Sequence, residues 1–161
     1  MEDKTLKQKL EEAGFKVENK TVSERLQIAG FEGVYAPEVL DRGFIGLTQD
    51  NIAVYDESLI ENINAVVNSN IVIVDTDCKE IDGEALLIGS GEEALALKPA
   101  IIGVSDDSRY VYDYDKLIEC FMSYNNWTDD EAIEWYEVNT LRSLPYYPNA
   151  PYVVTNIDYI I

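Results

Sequence analysis

Apolar and polar residues follow the same pattern twice along this chain. Residues 45–61 (IGLTQDNIAVYDESLIE) are closely matched by residues 102–119 (IGVSDDSRYVYDYDKLIE), 57 positions further on. Each segment has an alternating stretch, a polar turn, a second alternating stretch and then apolar residues at helical spacing. The pattern predicts a strand, a turn, a strand and a helix in each segment. A match of this length indicates a degenerate internal duplication.

The residues that follow the first copy predict further elements. Residues 70–75 (NIVIVD) form a short apolar run and predict a buried strand. Residues 85–89 (ALLIG) predict another short strand, and residues 90–97 (SGEEALAL) predict a helix that stops before Pro99. The first module, residues 43–99, is therefore predicted as a hairpin-helix unit of the order β-β-α-β.

The second module, residues 100–161, is predicted as β-β-α-α-β. A polar turn separates two strands, residues 115–124 follow helical spacing, and the final residues again resemble a strand. A further helix begins after Thr128, because Thr128 and Glu131 have the spacing of a capping box, in which each side chain satisfies the other residue's free amide. Strand pairs alternating with helices predict an α+β fold, with helices on one face of a mostly antiparallel sheet.

Residues 1–42 are predicted to form a helical segment ahead of the two modules. The sequences LEEAGF and LQIAGF each resemble the end of a short helix, where Gly14 or Gly30 adopts the left-handed conformation that closes the last turn. Thr21 or Ser23 would cap the second helix. The pair is either a helix-turn-helix that reads DNA or a helical pair that packs on the body or on a partner. The first 30 residues carry six acidic and six basic groups, and this neutral balance disfavours DNA binding, which depends on phosphate contacts.

The chain is strongly acidic. It has 31 Asp and Glu against 12 Lys and Arg, a net charge of −19 on 161 residues. Such a field repels nucleic acid and anionic membranes and attracts basic clefts within a Debye length of roughly 8–10 Å. No apolar run is long enough to span a membrane and no signal-peptide pattern is present, so we expect a cytoplasmic protein. Two cysteines fit a reducing compartment.

The residue inventory disfavours several kinds of catalysis. The chain has no histidine, which excludes a Ser-His-Asp triad, a Cys-His dyad and a histidine metal site. Residues 75–84 begin like a calcium loop, but Lys79 and Glu80 stand where an EF-hand needs an oxygen ligand and a glycine. Residues 88–97 resemble a strand-turn-helix of N-terminal-nucleophile hydrolases, and a degenerate hydrolase is therefore a third functional option. We expect no enzyme activity, no metal and no cofactor.

Acidic residues are densest between residues 105 and 137, where ten of them accompany two basic residues. Three recur at i, i+4 and i+7 on the predicted helix after Thr128 and form one stripe. Three tyrosines alternate onto one face of the predicted strand before residue 115. Tyrosine beside carboxylates suits an interface with an arginine-rich partner, although an ordinary solvated face is the alternative. The candidate partner-binding residues are Asp106, Asp107, Asp113, Asp115, Asp130, Glu134, Glu137, Tyr110, Tyr112 and Tyr114.

Residues 100–154 resemble a module of small phage and prophage proteins of Gram-positive bacteria. The motifs that carry the resemblance are YDYDK at 112–116, TDDEAIE at 128–134, NTLR at 139–142, and Pro145–Tyr146 followed by Pro151. The resemblance covers about a third of the chain and implies a phage origin rather than a particular activity. Small acidic phage proteins without catalytic residues often resemble anti-defence inhibitors, including anti-CRISPR proteins that occupy a nucleic-acid cleft.

These observations predict a phage-encoded acidic inhibitor of a host nucleic-acid-handling defence system. It would act as a DNA mimic in the cytoplasm of the host cell, by occupying the basic cleft of a host protein such as a CRISPR effector nuclease. It would bind neither nucleic acid nor membrane, and residues 1–30 could add a contact such as homodimerisation. The alternative is a phage structural or assembly protein, or an oligomeric module, without inhibitory activity.

Overall fold

The structure, a computed structural model, describes residues 21–60, 71–81 and 85–156. One sheet of six strands lies at its centre, and the strands follow one another in chain order. Three neighbouring pairs are antiparallel and two, β2–β3 and β5–β6, are parallel. The predicted α+β class and mostly antiparallel sheet are therefore confirmed. The strands are β1 (Phe44–Leu47), β2 (Ala53–Asp56), β3 (Ile71–Asp75), β4 (Ile101–Ser105), β5 (Tyr110–Asp113) and β6 (Tyr152–Val154).

The first and last strands of the sheet meet and close it. Leu47, at the end of β1, and Thr155, just after β6, exchange two backbone hydrogen bonds, N–H to O distances of 3.1 and 2.9 Å. Closure puts one face of the strands inside. That interior is filled by branched aliphatic side chains, so it is a packed core and not a channel. The buried interior residues are Val54, Val72, Val74, Val111 and Val154.

Helices cover the outer face of the closed sheet on two sides. The helices are α1 (Val22–Ile28), α2 (Glu92–Leu97), α3 (Tyr114–Asn125) and α4 (Asp129–Trp135), and α4 continues as a π-helix (Tyr136–Leu141). Helix α1 packs with Tyr55 of β2 and Ile73 of β3, while α2, α3 and α4 pack with β4, β5 and β6. Short 3₁₀ turns lie at Glu38–Gly43, Glu57–Leu59, Lys98–Ala100 and Leu144–Tyr146.

Several local predictions are confirmed. Thr21 and Thr128 both form capping boxes, with Glu24 and Glu131 respectively. Gly30, just after α1, has a φ of 94°, the left-handed conformation predicted for it. The first predicted N-terminal helix with Gly14, most of the helix after β2 and the end of the last strand lie outside the described residues.

The predicted strand at residues 85–89 is wrong. Residues 85–89 are irregular and belong to none of the six strands of the sheet. The backbone N–H of Ile88 instead donates to the hydroxyl oxygen of Tyr112, at 3.1 Å. An apolar run of five residues cannot by itself distinguish a strand from an extended segment that packs on a helix and a sheet.

Two pairs of equivalent positions in the repeated segments, Thr48 with Ser105 and Gly46 with Gly103, have similar surroundings. In the β1–β2 turn the Thr48 hydroxyl accepts from the N–H of Ile52, and in the β4–β5 turn the Ser105 hydroxyl accepts from the N–H of Arg109. A Cβ on Gly46 would lie 2.2 Å from the Thr155 carbonyl oxygen, and one on Gly103 would lie 2.4 Å from the Asp75 oxygen. At both glycines the sheet therefore brings two backbones together where only glycine fits.

Candidate acidic interface

Helices α3 and α4 pack side by side and bring several acidic side chains onto one surface. Helix α3 begins directly after β5, and Asp113 caps it by accepting a hydrogen bond from the N–H of Lys116, at 3.0 Å. Helix α4 begins at the capping residue Thr128. Because both caps fix where a helix starts, they also fix where the acidic first turn of each helix lies.

A shallow groove between the two helices is bordered by Asp115, Glu119 and Asp129. Its floor is apolar and includes Ile118 and Ile133. The pKa of Asp115 is raised above its ordinary value, first by partial burial and then by the negative charges of Asp113 and Glu119. Carboxylates that repel one another while partly desolvated cost folding free energy.

The predicted stripe of Asp130, Glu134 and Glu137 spans a change of helix type. Asp130 and Glu134 lie on α4, whereas Glu137 lies on the π-helix, where the side-chain period differs from 3.6. Glu134 borders a groove that contains the rings of Trp127 and Trp135. Burial, and then the charge of Glu137, raise the pKa of Tyr114 on α3. The three carboxylates therefore do not form one stripe of regular α-helical spacing.

We call this set of seven carboxylates the α3–α4 acidic surface. None of them forms an ion pair with a lysine or arginine of the described residues, although ion pairs with nearby cations would relieve their repulsion. The surface contains five of the seven predicted acidic partner-binding residues. Its members are Asp113, Asp115, Glu119, Asp129, Asp130, Glu134 and Glu137.

The other two predicted acids lie in the β4–β5 turn, at the opposite end of β5. A carboxylate oxygen of Asp106 accepts from the N–H of Ile73, at 3.3 Å. Asp107 accepts hydrogen bonds from the hydroxyls of Ser105 and Tyr152, and it pairs with Arg109 at 3.1 Å. Since Asp107 is neutralised and held within the chain, the turn is not part of the α3–α4 acidic surface.

Two of the three candidate tyrosines belong to the core. Tyr110 and Tyr112 are only 8% and 0% exposed, so they are not part of an exposed surface, contrary to expectation. Their alternation with Val111 is as predicted, but the face they share is covered by helices. Each hydroxyl accepts a backbone N–H, from Ile81 for Tyr110 and from Ile88 for Tyr112. Burial raises the pKa of Tyr112 to about 12.

Tyr114 is the candidate tyrosine that remains at the surface. It is partly buried and its ring meets that of Tyr136 edge-on, with ring centroids 5.3 Å apart. Burial, and then the charges of Glu137 and Asp115, raise the pKa of its hydroxyl, which therefore stays protonated and able to donate a hydrogen bond.

Sequence reasoning missed an aromatic cavity at the end of α4 and along the π-helix. A cavity of about 380 Å³ lies between residues 86–89, the π-helix and residues 147–151. Trp135 and Tyr147, which are 39% and 54% exposed, form part of its wall. The crowding of aromatic residues in the last third of the sequence was the available signal, but it gives no indication of which rings line a cavity.

Comparisons with protein-family models, with curated proteins and with solved structures find no match to this chain. Among the described residues, no helix is long and apolar enough to cross a membrane. Within the same part of the chain, no three Cys, Asp or Glu side chains are grouped so that they could hold a metal ion.

Proposed function

We propose that the protein is an acidic inhibitor of a host nucleic-acid-handling defence system, encoded by a phage, of the anti-CRISPR type. It binds a basic nucleic-acid cleft stoichiometrically and breaks no bonds. The single observation that carries the proposal is the α3–α4 acidic surface, in which seven carboxylates lie on or directly beside two adjacent capped helices and none is ion-paired to a described lysine or arginine. A surface that retains such repulsion is better suited to binding than to stability.

In this mechanism the carboxylates take the place of DNA phosphates. Arginine and lysine side chains of the cleft would exchange their contacts with DNA phosphates for contacts with Asp and Glu. If the cleft is empty, they would instead release their bound counterions when the inhibitor binds. Rigid helices hold these charges in place, so the partner gains contacts without first ordering a loop. Binding would then compete with nucleic acid and weaken steeply as salt concentration rises.

Charge-matched variants test the proposal. One variant carries Asp115→Asn, Glu119→Gln, Asp130→Asn, Glu134→Gln and Glu137→Gln, which leaves the capping Asp113 intact. Its control carries five exposed substitutions elsewhere, Glu32→Gln, Glu38→Gln, Glu57→Gln, Glu80→Gln and Glu92→Gln. Both are assayed for inhibition of DNA cleavage by purified guide-loaded CRISPR effector nucleases, in rising NaCl.

We expect the surface variant to lose inhibition by about a hundredfold or more, and the control to keep it, because charge contacts act locally once salt screens the long-range field. Equal losses in the two variants would contradict a defined surface. Inhibition that is insensitive to salt would contradict charge mimicry.

The second candidate function is a phage structural or assembly protein without inhibitory activity, or a homo-oligomer. Exposed apolar residues near the π-helix favour it, since Tyr146 is 83% exposed and Val138 is 48% exposed. Clusters of exposed apolar side chains are typical of protein–protein contacts. Native mass spectrometry discriminates the two functions, because a large homo-oligomer without nuclease inhibition supports the assembly role.

We also propose that the chain arose by duplication of a β-β-α-β unit into the modules 43–99 and 100–161. The matching order and direction of β1–β2–β3 and β4–β5–β6 support this, as do the paired glycines Gly46 and Gly103. A protein made of residues 100–156 alone would then be expected to dimerise through two copies of this unit. Sedimentation equilibrium measures the mass, and an unfolded monomer would argue against it.

A further inference from the structure

The aromatic cavity described above has apolar walls and several hydrogen-bond acceptors. Leu86, Leu144 and Ala150 supply apolar surface, and Trp135 supplies an indole ring. The side chains with polar groups are Glu93, Asn139, Thr140, Ser143 and Tyr147, and no lysine or arginine is among the described residues that line the cavity. The cavity therefore combines a negative charge with an aromatic wall.

The acceptors remain available to a ligand because of how they are held. The Asn139 side-chain nitrogen donates to the Trp135 carbonyl oxygen at 3.3 Å, which leaves its amide oxygen as an acceptor. The Glu93 carboxylate lies over Gly89, since a Cβ at Gly89 would come 3.1 Å from Glu93 Oε1. Gly89 has a φ of +82°, a conformation that suits glycine and keeps this space open to the carboxylate.

A second cavity, next to α4, also combines carboxylates with indole rings. It measures about 280 Å³, shares Trp135 and Asn139 with the first, and adds the carboxylates of Glu131 and Glu134. The Trp127 and Trp135 rings lie 5.5 Å apart, tilted by 47°. The occupant that suits both cavities is therefore cationic and able to stack on an indole ring.

We infer that the first of these cavities, the aromatic cavity lined by Glu93 and Trp135, binds the side chain of an arginine supplied by the partner protein. A guanidinium is planar and weakly hydrated, so it stacks on an indole and forms paired hydrogen bonds with a carboxylate such as Glu93. The aliphatic part of the side chain would pack on Leu86 and Leu144. A lysine ammonium is more strongly hydrated and lacks the flat face. Arginines that fill such pockets often dominate the affinity of an interface.

This inference rests on the proposed function in one respect, which is that the partner is basic. It adds a specific anchor to the α3–α4 acidic surface, whose member Glu134 borders the second cavity, and that cavity shares Trp135 and Asn139 with the first. The charged surface would supply long-range attraction and salt dependence, while the cavity would fix the position of one arginine.

A peptide titration tests the inference on the intact protein. The probes are three acetylated and amidated pentapeptides, Gly-Leu-Xaa-Leu-Gly, in which the central residue is arginine, its uncharged isostere citrulline, or lysine. Binding is followed by amide and indole shifts in ¹H–¹⁵N spectra. We expect the arginine peptide to shift the signals of Trp135, Asn139 and Leu86, and the other two peptides to bind about tenfold more weakly.

Matched variants locate the contact. Glu93→Gln should weaken the binding of the arginine peptide about tenfold. Glu92→Gln, at the exposed neighbouring position, should leave the affinity for that peptide unchanged. Far-UV circular dichroism verifies that both variants fold. Equal binding of arginine and citrulline, equal binding of arginine and lysine, or shifts confined to another surface would each overturn the inference.

The nuclease assay keeps this inference separate from the proposed function. If the arginine peptide binds as described but no nuclease is inhibited, the proposed function fails and the cavity stands. If a nuclease is inhibited and Glu93→Gln inhibits it equally well, the cavity is not the anchor and the proposed function stands.

Discussion

Tyr55 and Tyr112 occupy equivalent positions in β2 and β5, but their hydroxyl groups have different surroundings. Both side chains are fully buried. The Tyr112 hydroxyl accepts from the N–H of Ile88, whereas the Tyr55 hydroxyl has no hydrogen-bond partner among the described residues. A buried hydroxyl without a partner contributes less to stability than one that satisfies a backbone N–H.

The two hydroxyls therefore predict opposite outcomes for the same substitution. Tyr112→Phe should lower the free energy of unfolding by about 1–3 kcal/mol, because the N–H of Ile88 is left buried and unsatisfied. Tyr55→Phe should be neutral or stabilising, since it removes a buried polar group that has no described partner. Urea unfolding of both variants measures the difference. Equal destabilisation would show that the two hydroxyls contribute alike.

Asp115 gives a prediction of pH dependence. Its pKa in the folded protein lies above 3.8, its ordinary value, so the folded state binds this proton more tightly than the unfolded state. The contribution of this group to the free energy of unfolding is therefore fully present below pH 3.8. It is lost as the pH rises through the raised pKa. At neutral pH, Asp115→Asn should raise the melting temperature, because it removes a partly desolvated charge beside Asp113 and Glu119.

The control for Asp115 is Asp77→Asn, at an exposed turn position. Melting temperatures of both variants are compared with the parent at pH 7 and near pH 3. The gain from Asp115→Asn should shrink at the lower pH, where the carboxyl of the parent is also neutral. A gain independent of pH would mean that charge is not its cause.

Among the helices and strands, the residues at which helices begin were predicted well from the sequence, whereas the type of helix was not. Thr128 and Glu131 identify the beginning of α4 because a capping box is a local interaction between residues three apart. The π-helix that follows depends on how Tyr136 and Thr140 pack into the core, and both are buried. No local pattern in the sequence YEVNTL predicts how these side chains pack. The π-helix therefore both places Glu137 outside the regular α-helical spacing and supplies Asn139 and Thr140 to the cavity that the sequence did not predict.

The capping box predicts a defined cost. Thr128→Ala should destabilise the protein by about 1 kcal/mol, because the N–H of Glu131 loses its acceptor at the start of α4. Ser123→Ala, at an exposed position inside α3, is the control and should change stability by less than about 0.5 kcal/mol. Chemical denaturation measures both. If Thr128→Ala matched its control, the cap would contribute nothing measurable.

For the whole molecule, the sequence predicted the class of fold but not the closure of the sheet. The duplicated pattern identified β1, β2, β4 and β5 because alternation is local. Closure depends on the pairing of Leu47 with Thr155, which are far apart in the chain. The burial of Tyr110 and Tyr112 depends in turn on which face of the sheet the helices cover. The acidic surface was predicted in part, since Asp115 and Asp129 border one groove only because α3 packs on α4.

The paired glycines predict how strongly the sheet depends on close backbone contact. Gly103→Ala should destabilise the protein by about 3 kcal/mol, because its Cβ would lie 2.4 Å from a backbone oxygen of β3. Gly33→Ala is the comparison, with nothing within 4 Å of its Cβ and a φ of +81°, and should cost about 1 kcal/mol. Thermal and urea unfolding test the order. A larger loss at Gly33 would contradict the close approach.

The hydrogen bonds between Leu47 and Thr155 have a consequence for how the protein is made. During synthesis, β1 leaves the ribosome about a hundred residues before Thr155, with which Leu47 pairs. At ordinary synthesis rates this edge of β1 therefore stays unpaired for roughly 5–20 s. Until then the nascent chain presents an unpaired strand to other nascent chains and to chaperones. Slow translation of the codons that precede Thr155 would lengthen that exposure, and the yield of correctly folded product should fall with it.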